Sequence, residues 1–119
     1  MEENILHVKS KSFALKIINL VQLLNKNNQF VLANQILRSG TSIGANIAES
    51  EYASSKADFA NKLQIAQKEA GETKYWLSLL VESEIISLEI YNELTKDVLE
   101  LIRILAKSIK TSKIDNWYI

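Results

Sequence analysis

Apolar residues recur along this chain at alternating spacings of three and four, the signature of helices with one buried face. Phe13, Ile17, Leu20, Val21 and Leu24 set a first helix over about residues 9–26. The run NKNNQ, Asn25 to Gln29, ends it, because asparagine side chains compete for backbone hydrogen bonds and favour caps and turns. Leu32, Ile36, Ile43 and Ile47 set a second helix over about 30–52. Ala53-Ser54-Ser55 reads as a break, with Ser54 or Ser55 capping the third helix and Asp58 adding an acid to its first turn.

The third helix, about 56–81, has the cleanest pattern. Phe59, Leu63, Ala66, Ala70, Thr73, Leu77 and Leu80 form a heptad seam. Ile65, Glu69, Glu72, Trp76 and Leu79 form a second stripe beside it, so this helix is expected to meet neighbours on more than one side. The fourth helix, about 87–111, carries Tyr91, Leu94, Val98, Leu101 and Leu105, with Ile102 and Ile109 alongside. Residues 112–119 read as a tail, whose Trp117, Tyr118 and Ile119 are costly to leave in water and are expected to fold back or to dock on a partner. Short connections between long helices force antiparallel neighbours. The expected fold is all-α: an antiparallel up-down-up-down four-helix bundle, one domain spanning residues 1–119.

Composition agrees with this pattern. Proline is absent and glycine occurs three times, which removes the usual helix breakers. Cysteine is absent, which excludes disulfides and thiolate chemistry and fits a reducing cytoplasm. The opening MEENILHVKSKS has acids where a secretory signal needs bases, and no apolar run approaches the roughly 18 residues of a membrane span. The expected location is cytoplasmic.

Gly40, Gly44 and Ala48 succeed one another at intervals of four, a strip of very small side chains on the second helix. Each interior glycine costs about 0.8–1 kcal/mol relative to alanine, so the strip needs a reason. Close packing inside the bundle is one; a ligand or partner against the strip is the other.

Charge is balanced, with 14 basic and 14 acidic residues, but unevenly placed. Glu82, Glu84, Glu89, Glu93, Asp97 and Glu100 crowd one stretch; Arg103, Lys107, Lys110 and Lys113 come after it with no acid among them. In an up-down-up-down bundle Lys9, Lys11 and Lys16 would join the latter, making one basic and one acidic end. The basic residues either answer the helix dipole or form a phosphate-contacting surface.

Catalytic patterns are scarce. His7 is the sole histidine and sits in a segment expected to fray. GTSIGAN lacks the lysine and the preceding strand of a phosphate loop. Glu49, Glu69 and Glu72 have none of the histidines that accompany carboxylates in metal-binding bundles, so neither a metal nor a cofactor is expected.

The stretch from Gln35 to Leu80 carries a longer ordered pattern: Arg38, then Ser42, Ile43, Asn46, Ile47, Ala48 and Glu49, then Ser55, Asp58, Phe59, Leu63, Ala66, Glu69 and Glu72. It resembles the bacterial four-helix-bundle family encoded in intervening sequences of 23S ribosomal RNA genes. Ser50 stands where a glycine is common after the N-I-A-E string. The resemblance implies an antiparallel bundle, commonly assembled as a homopentameric ring, with no established catalytic residue. It is also similar to the accessory variability proteins of diversity-generating retroelements, basic pentamers that bind nucleic acid and a reverse transcriptase; the balanced charge of this chain departs from them. Within the matched segment, Arg38, Ser42, Asn46 and Glu49 form one polar stripe. It is expected to engage helix three at Glu69 or Glu72, within or between subunits, with Arg38 in a buried ion pair.

The residues leave three functional readings open. The first is a non-catalytic oligomeric scaffold or adaptor for a protein or nucleic-acid partner. The second is direct RNA or DNA binding through the basic end. The third is an enzyme or metalloprotein.

Overall fold

The computed structural model describes residues 2–114, with side-chain surroundings for residues 5–113. Four helices run in order: α1 (Glu2–Lys26), α2 (Phe30–Ser50), α3 (Lys56–Glu82) and α4 (Leu88–Ile114). Each packs antiparallel to the next and α4 returns to α1, which closes a four-helix bundle of up-down-up-down topology. The helices sit in two layers around one core. Packing is dense between α1 and α2, α2 and α3, and α3 and α4; the α1–α4 seam is the most sparsely packed.

Local chemistry sets the boundaries. Ser55 is the N-cap of α3: its backbone is extended (φ −156°, ψ 167°) and its hydroxyl accepts from the Asp58 amide at 3.0 Å. The Asp58 carboxylate accepts from the Ser54 amide at 3.2 Å, one residue earlier than in a standard capping box. The Ser87 hydroxyl caps α4 by accepting from the Ile90 amide at 3.1 Å. After α1 the chain turns through Asn28 at φ 62°, and after α3 through Glu84 at φ 61°. Asparagine tolerates that left-handed conformation by bonding locally; a glutamate there carries strain.

The core stripes merge into one cluster. Phe13, Ile17 and Leu24 of α1 meet Ile36, Ile43 and Ile47 of α2, Leu63, Leu77 and Leu80 of α3, and Leu94, Val98, Leu101 and Leu105 of α4. Two boundaries differ most from the sequence expectation. Helix α1 begins at Glu2, not near Lys9, because Leu6 is also fully buried and carries the core one turn further. Helix α4 continues to Ile114. The tail residues Trp117, Tyr118 and Ile119 lie outside the described residues.

Candidate functional site

The small-residue strip on α2 faces α1. A methyl on Gly40 would stand 2.9 Å from Ile17 Cγ1 and 3.0 Å from Cγ2. One on Gly44 would stand 3.3 Å from the Ser10 hydroxyl oxygen. The backbone of α2 thus lies directly against the side chains of α1, an approach that any larger residue at Gly40 obstructs. Ala48, the third member, is half-buried. Ser10 itself is buried and donates to the His7 carbonyl at 3.3 Å. His7 is not in a frayed segment: it lies within α1, half-buried, with Nε2 2.5 Å from Glu51 Oε2.

On the opposite flank, α2 meets α3 through polar groups. Arg38 donates to Glu69 Oε1 at 3.2 Å, to Gln35 Oε1 at 3.3 Å and to Glu72 Oε2. Glu72 Oε2 also accepts from the indole N–H of Trp76 at 3.0 Å. Trp76 stands edge-on to Tyr75, ring centroids 5.3 Å apart. Arg38 therefore sits over a pair of carboxylates one turn apart on α3, and Trp76 fixes the second of them.

This arrangement corrects two expectations. The ion pair is not buried: the Arg38 side chain is 48% exposed, against 15% for Glu69 and 33% for Glu72. Nor does the whole polar stripe reach α3. Ser42 donates to the Arg38 carbonyl at 2.6 Å and Asn46 to the Ser42 carbonyl at 2.8 Å, both within α2. Short side chains on a helix find the carbonyl one turn back before they reach a neighbour. Glu49, longer, pairs with Lys62 of α3 at 3.2 Å.

Between Ser39 and Thr73 the same interface holds a buried polar contact. Both residues are fully excluded from solvent, and their hydroxyls share a hydrogen bond at 2.9 Å. Thr73 is also within 2.8 Å of the Glu69 carbonyl, so neither of these two hydroxyls is left orphaned.

The basic residues divide into two groups. Lys9 pairs with Glu100 at 3.2 Å; Lys16 pairs with Asp97 at 2.7 Å and Glu93 at 3.1 Å. These two lysines line the α1–α4 seam and do not belong to a basic end. The reason is register: antiparallel packing sets residues 93–100 of α4 beside residues 9–16 of α1, so three acids assigned to an acidic end lie along the middle of the rod. The hydrogen bond to Asp97, then that to Glu93, holds the Lys16 ammonium pKa above its ordinary 10.5. Lys11, Arg103, Lys107, Lys110 and Lys113 are exposed. Among the described residues, no three acids or histidines gather in a metal-binding arrangement.

The class defined by this geometry is an antiparallel all-helical bundle, pinned by small residues between α1 and α2 and by polar pairs between α2 and α3. The chain belongs to the 23S rRNA-intervening sequence protein family, whose model matches residues 2–107. It is similar to a crystal structure from Bacteroides thetaiotaomicron, described as a protein with unknown function from the S23 ribosomal protein family. The two are 52% identical with a TM-score of 0.91, over 93% of this chain and all of that one. No curated protein matches the chain. No helix among the described residues is long and apolar enough to cross a membrane.

Proposed function

We propose that this protein is a non-catalytic oligomeric scaffold or adaptor. One observation carries the reading. Val8, Leu15 and Ile18 lie on the face of α1 that points away from the core, with Val8 68% and Leu15 56% exposed. With Lys11 between them they repeat at spacings of three and four, a second heptad seam directed outward. An exposed apolar stripe of this kind, interrupted by Lys11, supports an association surface. The five-membered ring implied by the family resemblance is the expected assembly. Light scattering at several concentrations tests it: particles well above the 13.5 kDa monomer are expected, and Leu15→Lys should shift them toward monomer. A concentration-independent monomer overturns the reading.

A second reading, nucleic-acid binding, draws on the exposed Lys11, Arg103, Lys107, Lys110 and Lys113. It requires affinity for RNA or DNA that falls steeply with salt. Loss of that affinity is expected in a chain carrying Lys107→Glu, Lys110→Glu and Lys113→Glu; unchanged affinity refutes the surface.

A further inference from the structure

Helix α4 sorts its charges onto two flanks. Glu93 and Asp97 meet Lys16, and Glu100 meets Lys9, so these acids are turned toward α1 and already paired. The bases point the other way. Lys96, Leu99, Arg103, Ala106, Lys110 and Lys113 succeed one another at spacings of three and four, a heptad seam along the outward face. All six are exposed, Leu99 at 41%. From Lys96 to Lys113 the seam runs about 25 Å along the helix.

Helix α3 adds to this face. Lys74 stands seven residues before Val81, which lines the hollow at the α3–α4 turn, so it lies on the flank of α3 nearer α4. Equal steps back from Glu82 and on from Leu88 set exposed Lys74 abreast of Lys96. Among the described residues, no carboxylate pairs with Lys74, Lys96, Arg103, Lys110 or Lys113.

A chain balanced in total charge thus leaves one face unbalanced. Like charges gathered on an exposed face are complementary to an anionic partner. The apolar residues decide its kind. Leu99 and Ala106 lie seven residues apart between the bases, and half-buried Ile102 lies between this row and the core. A phosphate backbone makes no use of such a row, and no aromatic residue between Lys96 and Lys113 offers a platform for bases. A helix with leucines in one stripe and carboxylates beside it matches both features.

We propose that the outward face of α4, with Lys74 beside it, docks an acidic amphipathic helix of a partner protein. This rests on the adaptor reading and names the partner class. The outward stripe of Val8, Leu15 and Ile18 belongs to α1, across the α1–α4 seam, so self-assembly and docking use separate faces.

The test uses the full chain, isotope-labelled, and three peptides of about 20 residues. The first repeats leucine at helical spacing with glutamate at its polar positions. The second has the same composition in scrambled order, and the third has lysine in place of glutamate. Saturable binding of the first is expected, with amide shifts concentrated in Lys96–Lys113 and around Lys74. The scrambled peptide should bind at least about tenfold more weakly, and the lysine peptide not measurably. Leu99→Asp and Arg103→Glu, both at exposed positions, should each weaken the first peptide at least about tenfold while leaving the helical circular dichroism unchanged. Three results overturn the proposal: equal binding of the first and scrambled peptides, no saturable binding, or shifts elsewhere on the bundle. So does a duplex RNA of about 20 base pairs that binds this face more tightly than the first peptide in the same salt, because the face then serves nucleic acid. It is also overturned if the seam amides move with protein concentration in the absence of peptide, because a second copy then occupies the seam. Light scattering on the same samples separates the two ideas. Assembly without peptide binding sinks this proposal alone; peptide binding by a monomer sinks self-assembly alone.

Discussion

Gly40 and Ile17 are complementary: the missing side chain of one is the space occupied by the branched side chain of the other, to within 2.9 Å. Ile17 is fully buried and β-branched, so it has little rotamer freedom with which to retreat. The three glycines of the chain therefore predict a graded series. Gly40→Ala should destabilise by about 1–2 kcal/mol, since overpacking outweighs the gain in helix propensity. Gly44→Ala meets a hydroxyl at 3.3 Å and should be close to neutral. Gly71→Ala meets nothing within 4 Å and should stabilise by about 1 kcal/mol. Chemical denaturation of the three variants checks the order. A loss at Gly71 would mean that another molecule packs against that turn of α3.

Arg38 and Glu72 form a pair open to solvent, so its coupling is modest. A double-mutant cycle with Arg38→Met and Glu72→Gln should return roughly 0.5–1 kcal/mol, reduced by salt. A coupling of several kcal/mol would show that the pair is desolvated in the assembled protein.

Ser39 and Thr73 predict a sharper asymmetry. Thr73→Val leaves the buried Ser39 hydroxyl without its partner on α3 and should cost about 1–3 kcal/mol. Adding Ser39→Ala should recover much of that loss, because both polar groups are then gone. Thermal unfolding of the two variants is sufficient; a double variant worse than the single one would refute this coupling.

Lys16 predicts an alkaline limit. Its pKa is raised in the folded protein by Asp97 and Glu93, so its contribution is fully present below the unfolded value of 10.5. That contribution is lost as pH rises through the folded pKa. Lys16→Met should therefore flatten the fall in unfolding free energy above pH 10.5, measured against the parent chain.

The helices were legible because their stripes are nearly uninterrupted, and α3 most of all. The start of α1 was not. Ser10 breaks the apolar stripe between Leu6 and Phe13, and its burial makes sense only once Gly44 is known to face it. The pairing of Arg38 with α3 could be read from polar residues repeating along two neighbouring helices. Its exposure could not, because exposure depends on how far around the helix the guanidinium lies. The fates of Lys9 and Lys16 were hidden for a related reason. Their partners are some eighty to ninety residues away in sequence, and only the register of α4 decides which charges meet.

The thinly packed seam has a kinetic meaning as well. Helix α1 touches the remaining helices densely only through α2, so it can peel away while α2, α3 and α4 stay together. Amide hydrogens of α1 should then exchange through this partial opening, ahead of those in α3, which is clasped from both sides. Sealing the seam with a larger apolar residue at Asn19 would make the whole bundle open as one unit.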